Sequence, residues 1–426
     1  TNHLFLSADR AFITEGSFRL ATGTFESIHA TGDALDSVTF LDSLGDDKFH
    51  VTVNDALMLG DGFHNTATDF GQITAVSRSG NDTANLIGSA DIDAVFADAN
   101  FAQIENVFAK TSAIGFHDVT IDSQAGADSL VITGSAGDDA FALQSQFTAA
   151  TIGDTEISAS GFESTIVISG GGNDLAELLG TEGDDHLYAS STLVNLAGND
   201  YTNTLLNIAE VAADVAADGG QDSAYLIDSI GDDTLVGSHH SVLFSGDGFA
   251  NTATGFEVFT VVAELGGIDT ASFTGSHAAD TMFAEGNSAW VWGSSYLAGM
   301  IGFEQLAVSG GGGNDAAFLR GTELNTDFRY SASGAHISEA NFTITATGFG
   351  SVNVVGGGGQ DTIDLAGFVN GDQLTATGSA LLAYLDGVRI EANDFDWLDA
   401  ATNTDQSALE EISAVDFWYA LHGNWD

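Results

Sequence analysis

Short stretches in which apolar and polar residues alternate with a period of two recur along the whole chain of 426 residues. Residues 258–262 (VFTVV) are one example, and residues 140–142 (AFA) are another. Such alternation predicts β-strands that bury one face. Turns rich in Gly, Asp and Asn separate the stretches, so the pattern predicts an all-β protein.

The alternating stretches belong to a unit of about 46 residues that repeats along the chain. A turn at Asp42 marks the unit, and the marker returns at Gly88, Gly134, Gly180, Asp228, Gly275, Gly321 and Gly367. Residues 1–41 align with the last three-quarters of a further unit, which makes about nine units. A fixed period in this range is typical of solenoids and propellers. Each unit is predicted to contain four or five short strands.

A single repetitive β-solenoid, similar to a parallel β-helix, is the predicted architecture of residues 1–400, and an eight-bladed β-propeller is the alternative. A propeller ring closes only if the two partial end units sum to one blade, whereas here they sum to well over one. A solenoid has no such closure condition. The pattern leaves open whether one coil of the solenoid contains 46 residues or about 23.

The C-terminal segment 401–426 is predicted to be a helical cap or docking segment. Residues 407–410 (SALE) have the form of a capping box, which is a signal for the start of a helix. A helix over about 406–422 would place on one face Leu409, Ile412, Val415 and Tyr419. We expect this helix to cover the last open coil.

Two columns of aspartates keep their positions in the repeat. The first lies six residues before the marker and contains Asp36, Asp82, Asp128, Asp174, Asp222, Asp269, Asp315 and Asp361. The second lies five residues after the marker and contains Asp47, Asp93, Asp139, Asp185, Asp233, Asp280 and Asp372, with Thr326 as the one exception.

If equivalent positions of successive units stack about 4.8 Å apart, each aspartate column becomes a ladder of like charges that calls for a counter-ion. Carboxylates on tight turns suit Ca²⁺, so the fifteen aspartates are candidate ligands of structural Ca²⁺. The alternative is that each aspartate accepts hydrogen bonds from backbone N–H groups of its own turn without a metal.

The charge of the chain narrows the possible partners. It has 61 acidic and 8 basic residues, a formal net charge of −53, and no Lys or Arg between Thr111 and Leu319. Nucleic acids and anionic membranes bind basic surfaces, so neither is an expected partner. The chain has no Cys, which excludes disulfides and thiolate sites. No apolar run is long enough for direct insertion into a membrane.

Residues 171–175 (GGNDL) and 183–187 (GDDHL) resemble the calcium-binding repeats of secreted RTX proteins. That resemblance implies Ca²⁺ at Asp174 and Asp185, although the middle Gly of the RTX repeat is replaced here. Segments such as residues 231–235 (GDDTL) and 251–257 (NTATGFE) are similar to the large acidic Gly/Asp-rich repeat proteins that planctomycete-type bacteria export to their surface. This second resemblance implies an extracellular or cell-surface location.

The expected function is that of a non-catalytic extracellular structural protein, such as a matrix component, a fibre subunit or an adhesin stalk. The chain starts inside a unit at residues 2–5 (NHLF), so an uncovered first coil is expected to pair head-to-tail with another copy. Surface polysaccharide is a further expected partner. The alternative is a β-helical carbohydrate-active enzyme or carbohydrate-binding protein, in which Trp290 and Trp292 would stack on sugar rings.

Overall fold

The computed structural model describes residues 1–15, 18–23, 25–215 and 219–426. Every helix or strand element in these ranges is a β-strand, which confirms the predicted all-β class. The chain divides into two compact units. Unit 1 contains Thr1–Leu187 and Thr192–Gly220, and unit 2 contains Tyr188–Ser191 and Gln221–Asp426.

The strands of unit 1 are short and closely spaced. They are β1 (His3–Leu6), β2 (Arg10–Glu15), β3 (Phe18–Gly23), β4 (Ser27–Thr31), β5 (Ser37–Leu41), β6 (Lys48–Val51), β7 (Asp55–Gly60), β8 (Phe63–Thr68), β9 (Gln72–Val76), β10 (Thr83–Ile87), β11 (Ala94–Asp98), β12 (Phe101–Glu105), β13 (Lys110–Ile114), β14 (Asp118–Asp122), β15 (Ser129–Thr133), β16 (Ala140–Leu143), β17 (Phe147–Ile152), β18 (Thr155–Ser160), β19 (Ser164–Ile168), β20 (Leu175–Leu179), β22 (Leu193–Ala197), β23 (Thr202–Leu206) and β24 (Glu210–Asp214). Strand β21 (His186–Ala189) has residues in both units.

Unit 2 continues the same series. Its strands are β25 (Ser223–Ile227), β26 (Thr234–Ser238), β27 (Ser241–Gly246), β28 (Phe249–Thr254), β29 (Val258–Val262), β30 (Thr270–Thr274), β31 (Thr281–Glu285), β32 (Ser288–Trp292), β33 (Leu297–Ile301), β34 (Gln305–Ser309), β35 (Ala316–Arg320), β36 (Asp327–Ser331), β37 (Gly334–Glu339), β38 (Phe342–Thr347), β39 (Ser351–Val355), β40 (Thr362–Phe368), β41 (Gln373–Gly378), β42 (Ala380–Leu385), β43 (Val388–Asn393), β44 (Trp397–Thr402), β45 (Ser407–Val415), β46 (Trp418–His422) and β47 (Asn424–Trp425).

Each repeat contributes three strands that fold as an antiparallel meander, and the meander is joined to its sheet by parallel pairs. In unit 1, β16 pairs with β17 and β17 with β18 in antiparallel fashion. Strand β18 then pairs in parallel with the earlier β14, and β16 pairs in parallel with the later β20. The order of strands in the sheet is therefore β14, β18, β17, β16 and β20. The chain first passes to β16, leaving room for two strands beside β14, and then folds back through β17 and β18 to fill that space.

Successive meanders alternate between two sheets within each unit. In unit 1, the meander β6–β8 lies in one sheet, β11–β13 lies in the other, and β16–β18 returns to the first. In unit 2, the meanders β26–β28, β31–β33, β36–β38 and β41–β43 alternate in the same way. Parallel pairs link one coil to the next, so each unit is a β-solenoid. The propeller alternative is wrong, because its blades would be separate antiparallel sheets.

Apolar residues at every second strand position form the core between the sheets. Residues two positions before the marker, such as Leu86, Ile132 and Leu178, are fully buried. Phe40 of one sheet contacts Phe49 of the other, with ring centroids 5.7 Å apart. Fully burying such a side chain contributes about 1.5–3 kcal/mol, so this layer is the main source of stability.

The spacing of the coils differs from both lengths that the sequence left open. Parallel partners are 35 residues apart where Ala94 faces Ser129, and 38 residues apart where Asp118 faces Glu156. A repeat of about 46 residues therefore does not place equivalent residues on neighbouring strands. The expectation that equivalent aspartates stack 4.8 Å apart is wrong for this reason.

The predicted C-terminal helix is also wrong, because this segment forms strands. Strand β45 pairs in parallel with β41, so that Leu374 faces Glu410, and β46 pairs with β44. The edge of β41 offers unpaired backbone groups, and pairing with them outweighs the local capping-box signal. Leu409 and Tyr419, expected on the buried face of a helix, are instead exposed. Among the described residues, no helix has the length and hydropathy to span a membrane.

Candidate functional site

The two aspartate columns meet at the starts of neighbouring strands. Asp47 directly precedes β6 and Asp82 directly precedes β10, and Lys48 faces Thr83 in this parallel pair. The backbone N–H of Asp47 donates a hydrogen bond of 2.6 Å to Oδ1 of Asp82. An aspartate of one column therefore caps the strand that begins with an aspartate of the other column.

The same contact recurs through both units. In each of four further pairs the first aspartate donates its backbone N–H to Oδ1 of the second, over 2.7–2.9 Å. The pairs are Asp93–Asp128, Asp139–Asp174, Asp233–Asp269 and Asp280–Asp315. Where the column has Thr326, its N–H donates to Asp361 at 2.8 Å. Asp36 accepts the N–H of Asn2 at 2.6 Å.

The second column also closes its own turn. Oδ2 of Asp47 accepts hydrogen bonds from the backbone N–H and the hydroxyl of Ser43, at 2.7 and 2.8 Å. The aspartate and the Ser or Thr four residues earlier make the same backbone contact, over 2.6–2.8 Å, in Ser89–Asp93, Ser135–Asp139, Thr181–Asp185, Ser229–Asp233 and Ser276–Asp280. This Ser/Thr column follows the marker directly, and sequence reasoning missed it although the residues recur visibly.

One repeat carries a substitution that preserves this arrangement. A Cβ added at Gly60 or Gly246, the last residues of β7 and β27, would lie 1.8 or 1.7 Å from the aspartate Oδ1 of that turn. In β37, Glu339 replaces this glycine, and the aspartate is replaced by Thr326. Glu339 accepts hydrogen bonds from the backbone N–H and hydroxyl of Thr322 and from the hydroxyl of Thr326, at 2.6–3.0 Å. A carboxylate thus occupies the turn in either case.

Burial distinguishes these carboxylates from the acidic surface. Asp372 is half-buried, and its Oδ2 accepts the N–H of Val369 at 2.8 Å. The other fourteen predicted site residues are buried: Asp36, Asp47, Asp82, Asp93, Asp128, Asp139, Asp174, Asp185, Asp222, Asp233, Asp269, Asp280, Asp315 and Asp361. Second-column aspartates such as Asp47 accept hydrogen bonds from their own turn, as the metal-free alternative expects. First-column aspartates such as Asp82 instead accept them from a residue of a neighbouring coil. The Ca²⁺ assignment stays a prediction.

Burial also changes the acidity of several carboxyl groups. It is the largest cause that raises the pKa of Asp269 to about 6, with added repulsion from Asp233 and Glu304. Burial likewise raises the pKa of Asp82, Asp128, Asp315 and Asp361. The N–H of Asn2 has the opposite effect and lowers the pKa of Asp36.

Hydrogen bonds do not satisfy all of the buried oxygens. Buried carboxylate oxygens that accept no hydrogen bond include Asp47 Oδ1, Asp93 Oδ1, Asp128 Oδ2, Asp174 Oδ2, Asp228 Oδ1 and Asp315 Oδ2. A buried, ionised oxygen without a partner is costly, so it favours either a bound proton or a nearby cation. The turns therefore have unused capacity for a cation.

A row of aromatic side chains follows the outward face of one sheet in unit 2. Residues that face each other on successive strands form one line across the sheet. In order they are Tyr225, Thr260, Gly299, Trp290, Phe283 and Phe318. Tyr188 extends the row by stacking on Tyr225, with ring centroids 6.1 Å apart. A Cβ added at Gly299 would lie 3.2 Å from the ring of Trp290, so the indole lies across this glycine. Trp290 and Trp292 are thus surface residues rather than core residues.

Neither a protein-family model nor a curated protein matches this sequence.

Proposed function

We propose that the chain is a non-catalytic extracellular structural protein, such as a matrix component, fibre subunit or adhesin stalk. The observation that supports this role best is the use of the repeated aspartates. In turn after turn their carboxylates are buried and accept hydrogen bonds from the backbone, so they hold coils together rather than present reactive groups. The exposed acidic residues keep such a surface soluble and repel other anionic surfaces.

Location in the producing cells tests this role. Antibodies against the folded protein should label the cell surface or the extracellular matrix, and fractionation should recover the protein outside the cytoplasm. Labelling restricted to the cytoplasm would contradict the proposal.

Structural Ca²⁺ at the aspartate turns is part of the proposed role. The buried oxygens without hydrogen bonds, together with the resemblance to RTX repeats, support it. If the folded chain alone binds Ca²⁺, the melting temperature should rise with free Ca²⁺ through mass action. Sodium chloride at equal ionic strength is the control. Identical melting curves in Ca²⁺ and in chelator would leave hydrogen-bonded turns as the full account.

We also propose that copies associate end to end. In the described part of the chain, β46 pairs with β44 on one side, and its residues Trp418 and Tyr419 are exposed. A strand edge of this kind can pair with a strand of another molecule. Trp418→Lys with Tyr419→Lys should lower the sedimentation coefficient at high concentration, since charge opposes edge pairing. A native chain that is monomeric at every concentration in Ca²⁺ would refute the association.

Carbohydrate binding is a second candidate function, and the aromatic row favours it. Flat aromatic faces stack on the apolar faces of sugar rings, and the rings here are spread over successive strands. Trp290→Ala should weaken retention on neutral polysaccharide gels, whereas Tyr384→Ala, at another exposed aromatic residue, should not. Equal retention of both variants would refute this function.

A further inference from the structure

Two of the eight marked turns carry an extra buried carboxylate. The marker residue is Asp at Asp42 and Asp228 and Gly elsewhere. In the glycine turns the space is already filled, since a Cβ added at Gly88 would lie 2.6 Å from Oδ2 of Asp93. Asp42 and Asp228 therefore each add a third carboxylate to a turn that already contains an aspartate pair.

At Asp42, a built-in cation accompanies this third carboxylate. Asp42, Asp47 and Asp82 are all buried and offer carboxylate oxygens within 4.8 Å of one another. Nε of Arg78 donates to Oδ1 of Asp42 at 2.7 Å, and the backbone N–H of Arg78 donates to Oδ2 at 2.6 Å. The guanidinium also donates to the carbonyl oxygen of Asp42. The positive charge of Arg78 thus offsets the buried carboxylates.

The Asp228 turn has the same backbone contact, but its residue at the position of Arg78 is Leu265, which is not cationic. The N–H of Leu265 donates to Oδ2 of Asp228 at 2.7 Å, as the N–H of Arg78 does at Asp42. This turn contains Glu264 and Leu265, and the sequence has no Lys or Arg between Thr111 and Leu319. Oδ1 of Asp228, the counterpart of the oxygen that Arg78 Nε contacts, is buried and accepts no hydrogen bond.

Charge accumulates around this unpartnered oxygen. Asp233 and Asp269 form the aspartate pair of the turn, and both are buried. Burial raises the pKa of Asp228, and repulsion from Asp233 and Glu264 raises it further. The turn thus shares the backbone contact of the Asp42 turn and has acidic charge where that turn has a guanidinium.

We propose that the Asp228 turn binds Ca²⁺ in the place that the Arg78 guanidinium takes at the Asp42 turn. Oδ1 of Asp228 is the first ligand, the carboxylates of Asp233 and Asp269 supply further negative charge, and water completes the coordination. Hard oxygen ligands and several negative charges favour Ca²⁺ over monovalent cations. Asp228 lies outside both predicted aspartate columns. The site sharpens the Ca²⁺ part of the proposed function and does not depend on a surface role.

Variants that exchange the two turns test the site. Calcium is titrated by calorimetry into the full-length chain after chelator removal, for the native protein, Asp228→Asn, Leu265→Arg and Arg78→Leu. Asp228→Asn should lose one bound Ca²⁺ per chain. Leu265→Arg should lose the same one, because it supplies a guanidinium while Asp228 stays intact; Leu265 is exposed, so the change is tolerated. Arg78→Leu should gain one bound Ca²⁺.

The outcomes separate this site from the wider Ca²⁺ proposal. Loss of the only bound Ca²⁺ in Asp228→Asn would support the site and contradict Ca²⁺ at the aspartate columns. Calcium binding that is the same in all four proteins would overturn the site and leave the columns as the binding residues. If none of the four proteins binds Ca²⁺ and Asp228→Asn raises the melting temperature at neutral pH, a proton satisfies Oδ1, which also overturns the site. Circular dichroism confirms that each variant is folded.

Discussion

Thr326 and Glu339 stand where other turns have an aspartate and a glycine. This paired replacement predicts that the two positions are strongly coupled in their effect on stability. Four other turns combine an aspartate with a glycine at or just after the end of the middle meander strand, namely Asp47 with Gly60, Asp185 with Gly198, Asp233 with Gly246 and Asp280 with Gly293. The turn at Thr326 combines Thr326 with Glu339 instead. Thr326→Asp with Glu339→Gly would recreate the usual combination. Each single substitution breaks the match, so we expect both single variants to be destabilised and the double variant to recover.

The structure gives the size of each effect. Glu339→Gly removes three hydrogen bonds to a carboxylate and leaves the N–H of Thr322 without its acceptor, which costs about 3–4 kcal/mol. Thr326→Asp places a second carboxylate about 4 Å from that of Glu339, and the repulsion is about 4 kcal/mol at an effective dielectric constant of 20. The double variant should lie within about 1 kcal/mol of the native protein, which implies a coupling energy of several kcal/mol.

Urea unfolding followed by circular dichroism, in chelator at pH 7, measures these free energies. Glu323→Gln, at an exposed carboxylate of the same turn, is the matched control and should change the free energy of unfolding by less than about 0.5 kcal/mol. A double variant whose destabilisation equals the sum of the two single effects would refute the coupling. It would show that positions 326 and 339 contribute to stability independently of each other.

Three further predictions concern buried groups. Burial raises the pKa of Asp269 to about 6 in the folded protein, above its unfolded value. In chelator the free energy of unfolding should therefore fall as pH rises from about 4 to 7, by at most about 3 kcal/mol. Asp269→Asn should remove this loss in urea titrations, and an unchanged pH profile would contradict the prediction. Gly357→Ala would place Cβ 1.7 Å from a backbone oxygen and should strongly lower the melting temperature, whereas Gly137→Ala meets nothing closer than 3.6 Å and should not. Tyr201→Phe removes a hydroxyl that donates to Asp185 at 2.7 Å and should cost about 1–3 kcal/mol in urea unfolding; no change would show that this bond is not stabilising.

The sequence predicted those features that depend on local pattern. Period-two alternation gave the strands, and the repeat length with the partial end units indicated a solenoid. The burial of Asp82 and Asp128 and their contacts with Asp47 and Asp93 were not predicted, because the neighbour of each strand depends on the meander that folds back between them. The C-terminal strand β45 was missed for a related reason: its partner β41 is known only once the coils are assembled.

The meander also explains why two aspartate columns exist. Asp82 directly precedes β10 in one sheet, and Asp93 directly precedes β11, the first meander strand of the other sheet. Each aspartate marks the start of a strand at the point where the chain crosses between sheets. The N–H of Asp93 donates to Oδ1 of Asp128, which directly precedes β15, the strand that pairs in parallel with β11.

This contact fixes the meander to the coil that follows it. Without it, β11 could shift along β15 by two residues and keep the same face buried, since period-two alternation is preserved. The buried carboxylate makes such a shift costly, because it would leave an ionised oxygen without its N–H donor. The aspartate columns therefore specify the register of each coil, which the apolar pattern alone leaves degenerate. A repeated acidic pair is what allows the unit to be stacked many times without a shift in register.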